Sequence, residues 1–458
     1  MDNNTIAAIA TPIGTGGIGI IRISGENALK IASRVFISKN KSDVLSYKTH
    51  TLHFGAVVNS QGKTIDQALL SYMKAPHSYT GEDVVELSCH GGITCVKQVL
   101  EQVLAQGASL AGRGEFTKRA FLNGKMDLSQ AEAVIDIINS KNEKALSSAV
   151  NQLEGTLSHK INSLRDKLVM VMAYIEAETD FPEDDISGLS EDQVIKNLEE
   201  VLEGLSNLLH TAHKGRLIRE GISTAIVGRP NVGKSSLLNA LLGETRAIVT
   251  DIPGTTRDII EEYLNLGNIT LRLIDTAGIR NTEDTVEQIG VNLALSRAEA
   301  AQLVLFVGDL SLIPSSEDKE ILEKIKDKPH IMVLNKSDKE LGDAFENYSA
   351  LSPCKKVKIS AKNLLGVEEL TKEIEELFHL GEIQEDDSLI LTNLRHIESI
   401  TSAKASVSRA LEEIKAGMPA DMLYIDIFDA LSSLGEVVGM TVSEEVVDKV
   451  FEKFCVGK

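Results

Sequence analysis

One run of eight residues constrains the fold of this 458-residue chain more than any other segment. Residues 228–235 read Gly-Arg-Pro-Asn-Val-Gly-Lys-Ser; a short apolar segment precedes them and an amphipathic segment, 236–242, follows. A strand, a glycine-rich loop and a helix N-terminus in this order direct backbone N–H groups toward phosphate oxygens. Lys234 adds a positive charge for those oxygens, and the Ser235 hydroxyl is a ligand for Mg²⁺. The run therefore predicts a nucleotide-binding loop at the end of a strand in a parallel sheet.

Three further motifs, each after an apolar segment, indicate which nucleotide binds. They are Asp275-Thr-Ala-Gly278, Asn335-Lys336-Ser-Asp338 and Ser360-Ala361-Lys362. Asp275 is placed to reach the metal, and Gly278 to face the γ-phosphate. The Asp338 carboxylate can accept hydrogen bonds from the N1–H and N2–H₂ groups of guanine, which adenine does not offer. A chance set of turns and an ATP site are the alternatives, and the motifs favour a GTP site of the P-loop GTPases over both.

The chain lacks the residue that positions water in small signalling GTPases. There a glutamine follows the Asp-x-x-Gly motif, whereas this sequence has Ile279, whose apolar side chain cannot orient water. Glu287, nine residues after Gly278, could orient the attacking water directly or through a second water. The residues by themselves leave open whether Glu287 has this role or is a carboxylate on a solvated helix face.

Changes in hydrophobic periodicity divide the chain into four segments. Residues 1–118 alternate short strands and helices, and residues 119–217 have the spacing of amphipathic helices. Residues 218–380 alternate apolar strands with helices, which is typical of a doubly wound, mostly parallel sheet. Helical spacing returns over residues 381–458. We therefore predict a multidomain protein with α/β and all-α parts, in which the second α/β segment is inserted into one discontinuous helical domain.

Several local elements are also predicted. Asp127 and Gln130 fit a capping box at the start of a helix. The run Gly14-Thr-Gly16-Gly-Ile-Gly19 matches a dinucleotide-binding pattern, but the residues after it are typical of a strand and not of the required helix, so we reject that interpretation. The clearest strands are expected at residues 19–24, 53–58, 67–73, 83–90, 224–227, 271–274, 303–307 and 331–334.

Composition limits the class of protein. The chain is 43% hydrophobic and 25% charged, close to the average of soluble globular proteins, which excludes a wholly disordered chain. Its net charge of −20 disfavours a broad basic surface for sequence-independent nucleic-acid binding. The sequence has no run that is apolar and long enough to span a bilayer, and no secretory signal. We therefore expect no membrane contact and a cytoplasmic location.

The four cysteines are too few for a disulfide framework. Cys89 and Cys95 do not have the spacing of zinc ligands, so we expect them to be buried or idle thiols. The C-terminal sequence Cys455-Val-Gly-Lys458 superficially resembles a prenylation signal. Gly457 is not aliphatic, however, and lysine is not a usual final residue of such a signal, so we reject prenylation.

Five features together resemble one family over essentially the whole chain. They are the inserted GTPase motifs, the region around Arg22, the run Gly81-Glu-Asp-Val-Val-Glu-Leu-Ser-Cys-His-Gly-Gly92, the run Phe121-Leu-Asn-Gly-Lys-Met-Asp-Leu-Ser-Gln-Ala-Glu-Ala133, and the terminal Cys-x-Gly-Lys. The chain is similar to the MnmE (TrmE) family of tRNA wobble-uridine modification GTPases. The resemblance implies an N-terminal folate-binding and dimerisation domain, a discontinuous helical domain and an inserted Ras-like P-loop GTPase domain.

The resemblance also implies an activity and its partners. Members of the family are homodimeric, potassium-stimulated GTPases, and their hydrolysis of GTP is coupled to pairing of the GTPase domains. With MnmG, an FAD-dependent enzyme that uses NADH, they form a heterotetramer that adds an aminomethyl or carboxymethylaminomethyl group to C5 of the wobble uridine of certain tRNAs. The implied cofactors are GTP, Mg²⁺, K⁺ and a tetrahydrofolate derivative in the 5-formyl or 5,10-methylene form.

Site residues follow from the resemblance by position. It implies Glu287 as the catalytic residue and folate binding by Arg22, Glu86, Lys125 and Lys458. The magnesium ligands would be Ser235 and either Thr255 or Thr256, of which we favour Thr256. The potassium ligands would be Asn231, Thr250, Ile252 and Thr255. The GTP site would comprise Asn231, Val232, Gly233, Lys234, Ser235, Ser236, Thr250, Thr255, Thr256, Asp275, Gly278, Asn335, Lys336, Asp338, Ser360, Ala361 and Lys362.

Three points stay open at this stage. Cys455 is either a reactive thiol near the folate or a terminal packing residue. A ribosome-assembly GTPase would share the nucleotide motifs, although such proteins usually add a basic RNA-binding module. A GTP-gated scaffold, whose hydrolysis only resets its shape, is the non-enzymatic alternative.

Overall fold

The computed structural model describes residues 4–180, 190–244, 262–267, 269–274, 298–378 and 389–458. The strands in these residues are β1 (Ile6–Ile9), β2 (Gly19–Ser24), β3 (Phe36–Ser38), β4 (Thr51–Val58), β5 (Thr64–Met73), β6 (Val84–Cys89), β7 (Ser109–Leu110), β8 (Ile222–Val227), β9 (Glu262–Leu266), β10 (Ile269–Leu273), β11 (Leu303–Asp309), β12 (His330–Asn335) and β13 (Lys355–Lys358). The helices are α1 (Ala28–Val35), α2 (Ile93–Ala105), α3 (Glu115–Leu122), α4 (Leu128–Asn139), α5 (Glu143–Leu153), α6 (Thr156–Asp180), α7 (Glu191–Glu220), α8 (Lys234–Glu244), α9 (Ser316–Ile325), α10 (Ala344–Ser349), α11 (Val367–Leu377), α12 (Leu394–Lys415), α13 (Leu423–Val438) and α14 (Glu444–Phe451).

The chain divides into two compact units. The first comprises Met1–Ile135, Leu153–Ser163 and Leu431–Lys458, and the second comprises Asp136–Gln152 and Leu164–Ala430. Each of the predicted strands has a counterpart, and several begin earlier than predicted, such as β5 at Thr64. The domain bounds proposed from the sequence remain predictions.

The first unit is built on a seven-stranded sheet with the order β3-β4-β5-β6-β2-β1-β7, antiparallel except where β1 pairs with β7. Side chains alternate across a strand, so each strand contributes to both faces. Ile21, Ile23, Val85 and Leu87 belong to one buried cluster together with side chains of α1 and α2. Arg22, which lies between Ile21 and Ile23, therefore projects from the opposite face, where the ion pair described below lies.

The C-terminal segment is held inside the first unit. Its last helix, α14, and the adjacent Phe454 pack against α4 in one buried cluster. Val456 forms an isolated antiparallel bridge with Arg113. The start of α4 confirms the predicted capping box, since Asp127 N donates to Gln130 Oε1 at 3.0 Å and Gln130 N donates to Asp127 Oδ1 at 3.0 Å.

The second unit contains a six-stranded sheet with the order β13-β12-β11-β8-β10-β9. All neighbouring strands are parallel except β9 and β10. Leu305 and Val307 of β11 lie in one buried cluster with α8 and α11, while Val304 and Phe306 lie in another with α9. A sheet with its strands buried on both faces is the doubly wound arrangement expected from the sequence.

Helices that flank this sheet in sequence pack along each other. α7 ends just before β8, and α12 begins after the last segment of the sheet, yet the two helices contact each other along their length. Lys415 Nζ of α12 lies 2.6 Å from Glu199 Oε1 of α7. The α/β segment is thus inserted between two helical pieces that pack together. None of the described helices combines the length and the apolar character needed to cross a membrane.

Candidate functional site

The nucleotide-binding loop connects β8 to α8, as the sequence predicts. Two of its glycines have backbone conformations that a side chain would strain. Gly228 has φ +150°, and a Cβ there would lie 2.4 Å from the Val307 carbonyl oxygen. Gly233 has φ +98°, and a Cβ there would lie 2.2 Å from Asn335 Nδ2. These glycines keep the loop close to the neighbouring strands, with the N-terminus of α8 at its end.

Lys234 spans the loop from its C-terminal end. Its Nζ donates to the Gly228 carbonyl oxygen at 2.8 Å and to the Arg229 carbonyl oxygen at 2.7 Å. Burial lowers the pKa of Lys234 to about 8, because the charged amine loses hydration that the two carbonyl oxygens only partly replace. Phosphate charge beside the amine would favour its protonated form. Lys234 is therefore placed to bind an anion at this loop.

Asn335, at the end of β12, joins three loops. Its Nδ2 donates to the Val232 carbonyl oxygen at 3.1 Å, and its Oδ1 accepts from the Ala361 N–H at 3.1 Å. All three residues are buried. One amide thus ties the phosphate-side loop, residues 228–235, to the loop at 360–362.

Lys336 reinforces the same junction. Its Nζ donates to the Asn231 carbonyl oxygen at 3.1 Å and to Asp309 Oδ2 at 2.6 Å. Asn231 and Lys336 have left-handed backbones, with φ of +63° and +62°. The structure therefore brings the phosphate-side loop together with the predicted base-side motif, residues 335–338.

Asp338 is the residue proposed to recognise the base. It is exposed, and Ser360 Oγ donates to its Oδ1 at 2.8 Å. This hydrogen bond lowers the pKa of Asp338, and Lys362 contributes in the same direction. The carboxylate is therefore ionised at neutral pH and held at one oxygen, a suitable state for accepting two N–H groups of guanine.

The described residues cover only part of the predicted site. Val232 is buried in the loop, and Ser235 and Ser236 lie in the first turn of α8. The predicted residues outside the described ranges are Thr250, Ile252, Thr255, Thr256, Asp275, Gly278 and Glu287.

The sequence did not indicate a buried ion pair beneath the loop. Arg229 Nε lies 2.8 Å from Asp318 Oδ2, and the Asp318 side chain is fully buried. Ser315 N also donates to Asp318 Oδ2 at 2.9 Å, and Tyr348 Oη donates to the same oxygen at 3.4 Å. The Ser-x-x-Asp pattern could have predicted a helix start at α9, but nothing in the local sequence signals that this carboxylate is buried against Arg229.

A second polar cluster lies in the first unit. Arg22 on β2 and Glu86 on β6 are directly opposite in the sheet register, and Arg22 Nε donates to Glu86 Oε1 at 2.8 Å. The Arg22 guanidinium carbon lies 5.5 Å from the centre of the Tyr79 ring and 5.6 Å from that of Phe116. Aromatic faces favour a cation at this distance, so the arginine is fixed by both charge and packing.

The C-terminus completes this cluster. Arg22 Nη1 donates to the Gly457 carbonyl oxygen at 3.3 Å, and the Phe116 N–H donates to the Lys458 carbonyl oxygen at 3.2 Å. Burial lowers the pKa of Lys458, and the nearby Arg22 charge lowers it further, while Glu86 acts in the opposite direction. Two cationic side chains and one carboxylate side chain therefore share the site. The cations can pair with anionic groups of a ligand, and the carboxylate can accept hydrogen bonds from its N–H groups.

Lys125, the fourth residue proposed to bind folate, contacts the loop that precedes β6. Its Nζ donates to the Pro76 carbonyl oxygen at 3.1 Å. The same loop carries Tyr79, whose ring lies beside Arg22. Cys455 has an exposed side chain, and its carbonyl oxygen accepts from the Gly114 N–H at 3.4 Å. Whether the Cys455 thiol is reactive remains a prediction.

Comparison with known proteins gives matches along nearly the whole chain. Residues 5–125 match the family model described as GTP-binding protein TrmE N-terminus. Residues 128–455 match the family model described as MnmE helical domain.

Curated relatives are similar over full length. The chain is 48% identical to the tRNA modification GTPase MnmE of Clostridioides difficile, over 100% of this chain and 99% of the relative. It is also 48% identical to the protein of the same name from Acetivibrio thermocellus, over 99% of each. A solved structure of Era, in complex with MgGDPNP and part of 16S ribosomal RNA, is 33% identical. The match covers 40% of this chain and 66% of the Era chain, with a TM-score of 0.27.

Proposed function

Because the chain belongs to the MnmE family of tRNA modification GTPases, we propose that its GTP hydrolysis drives modification of the wobble uridine of certain tRNAs. The family assignment makes the chain a GTP hydrolase that acts in tRNA modification. The finer proposal has four parts: a homodimer, MnmG as the FAD-dependent partner in the cytoplasm, a tetrahydrofolate derivative as the one-carbon donor, and C5 of the uridine as the acceptor.

The nucleotide site supports the hydrolytic part. The Asn335 amide and the Lys336 amine hold the phosphate-side and base-side loops together through hydrogen bonds of 3.1 Å or less. Lys234 would hold phosphate oxygens, and Asp338 would select guanine. Ser235, at the helix N-terminus, fits a magnesium ligand because hard cations prefer oxygen. Bound Mg²⁺ would neutralise phosphate charge during hydrolysis.

The remaining hydrolytic residues are proposed from the family. Glu287 would orient the attacking water, Thr256 would be the second magnesium ligand, and Asn231 would contribute to potassium binding. Hydrolysis should then be faster in potassium than in sodium chloride at equal ionic strength. Equal rates in the two salts would exclude a potassium-dependent mechanism.

Glu287→Ala should bind GTP with unchanged affinity and hydrolyse it on the order of 10² to 10⁴ times more slowly, the usual contribution of a positioned acid or base. Turnover within a few-fold of the original protein would exclude Glu287 as the catalytic residue.

The cluster of Arg22, Glu86 and Lys458 is the observation that carries the folate proposal. A reduced folate combines a carboxylate-bearing tail with a pterin ring that has N–H donors. Arg22 and Lys458 can pair with carboxylates, and Glu86 can accept from the pterin. Tyr79 and Phe116 supply apolar surface next to Arg22. The cluster thus fits the chemistry of the proposed ligand, although no individual folate atom is assigned to a residue.

A pair of C-terminal lysines offers a matched test of folate binding. Lys458 is half-buried beside Arg22, whereas Lys453, five residues earlier, is exposed. Lys458→Gln should weaken binding of 5-formyltetrahydrofolate on the order of 10- to 100-fold, because a hydrogen bond to a charged group contributes ~1.5–3 kcal/mol. Lys453→Gln should leave the affinity unchanged. Calorimetric titration of the full chain measures both, and equal affinities in the two variants would refute the folate site.

A further inference from the structure

Three potential metal ligands meet at one corner of the first unit. Cys89 is the last residue of β6, and Cys95 lies in the first turn of α2. Asp66 comes from β5, the neighbour of β6 in the sheet. Because Asp66 is 23 positions before Cys89 in the sequence, the spacing of the cysteines did not predict this cluster.

The three side chains are close enough to share one ion. Their ligand atoms, two sulfurs and a carboxylate oxygen, lie within 4.8 Å of one another. Cys95 Sγ donates to Asp66 Oδ2 at 3.3 Å. Zinc–sulfur bonds of ~2.3 Å at tetrahedral angles separate the ligand atoms by roughly 3.8 Å. The ligand atoms therefore lie within about 1 Å of the separations that one shared ion requires.

The surroundings orient Asp66 as a ligand. The His90 N–H donates to Asp66 Oδ2 at 2.7 Å, and His90 Nδ1 lies 2.8 Å from Oδ1. Carboxylates that bind metal ions are themselves hydrogen-bonded by outer partners, a role that His90 would have for Asp66. Burial is the largest cause of the raised pKa of both thiols, and for Cys95 the pKa rises to about 12. Without a cation the two thiols are therefore protonated.

We propose that Asp66, Cys89 and Cys95 form a binding site for a thiophilic divalent cation of the Zn²⁺ type, with His90 as a positioning residue for Asp66. Two thiolates and a carboxylate would bind the ion, and the two thiol protons would pass to the solvent. A fourth position would be open to water on the side where the His90 ring is 75% exposed. Thiolate ligands favour Zn²⁺ over Mg²⁺, so the site would not compete for the magnesium of the nucleotide site.

Cobalt spectroscopy tests this proposal on the full chain, reduced, stripped of metal and free of nucleotide. We expect Co²⁺ to bind with one equivalent giving the charge-transfer absorption of cobalt–thiolate bonds, and Zn²⁺ to displace it. Cys95 is only half-buried, so Cys95→Ser should fold. It should bind Zn²⁺ more than about 100-fold more weakly, because even outer partners contribute 10- to 100-fold.

Two variants separate this site from other thiols. The double variant Cys354→Ser, Cys455→Ser removes the cysteines outside the cluster and should keep the full cobalt spectrum. His90→Ala should retain the thiolate absorption but weaken Zn²⁺ binding by about 10- to 100-fold. The proposal is overturned if Co²⁺ gives no thiolate absorption, or if Cys95→Ser keeps it, or if the double variant loses it.

Discussion

Asn335→Ala tests whether one amide holds the nucleotide site together. The substitution removes the hydrogen bonds to Val232 and Ala361 and leaves a carbonyl oxygen and an N–H group without a partner. Both groups are in residues that are less than a tenth exposed. Each buried polar group left unpaired costs about 1–3 kcal/mol, so the free energy of unfolding should fall by about 2–6 kcal/mol.

The same change should weaken GDP binding by more than about 10-fold, since the loop at 360–362 would lose its tie to the phosphate-side loop and the Lys336 bond to Asn231 would be left to hold the junction. Urea unfolding followed by circular dichroism, and titration with a fluorescent GDP analogue, measure the two effects. Asn347→Ala is the control, because that exposed asparagine donates from Nδ2 to the Asp343 carbonyl oxygen at the start of its helix and so makes a local, solvent-exposed bond. If the two variants have equal stability and equal GDP affinity, the structural role assigned to Asn335 is wrong.

Three further predictions concern both units. Gly457→Ala should abolish folate binding, because Gly457 has φ +97° and a Cβ would lie 2.2 Å from the Ile9 carbonyl oxygen. Val456→Ile, at an exposed position, is the control. Equal folate affinity in the two variants would contradict this prediction. GDP binding at pH 8 should take up about half a proton, since the pKa of Lys234 is about 8 without phosphate and should rise beside it. GDP affinity should therefore fall as the pH rises through 8. Calorimetry in buffers of different ionisation enthalpy would show the proton uptake. A GDP affinity that does not change between pH 7 and pH 9 would contradict this prediction. Asp338→Asn should weaken GTP binding on the order of 10- to 100-fold by removing a charged acceptor, and competition with ATP should show whether guanine selectivity is lost.

The local sequence was sufficient to predict many of the strands and helix starts. The apolar runs before residue 228 and at residues 303–307 predicted β8 and β11 because parallel strands buried on both faces need nearly continuous apolar residues. The reciprocal bonds of Asp127 and Gln130 were predictable because a capping box involves residues only three positions apart. β5 begins at Thr64, three residues before the predicted start. Its extra residues are mostly polar, and their pairing with β4 has no signal in hydrophobicity.

Contacts between distant segments could not be predicted from residue pattern. The burial of Asp318 against Arg229 depends on how α9 packs beside the nucleotide-binding loop. The grouping of Asp66 with Cys89 and Cys95 depends on the pairing of β5 with β6. The resemblance to a family did identify Arg22, Glu86 and Lys458 together, although they are far apart in sequence. It also grouped Lys125 with them; in the structure the Lys125 amine donates to the Pro76 carbonyl oxygen, and its role in folate binding stays a prediction.

The modified nucleosides of tRNA test the proposed function most directly. Bulk tRNA from a strain that lacks this gene would be digested, and its wobble uridines quantified by mass spectrometry, with and without a plasmid-borne copy. A copy carrying Lys458→Gln and one carrying Lys453→Gln would be compared in the same strain. The account predicts that C5 aminomethyl-type uridines disappear without the gene and return with the original and Lys453→Gln copies but not with Lys458→Gln. Unchanged nucleosides in the strain without the gene would contradict a role in wobble-uridine modification.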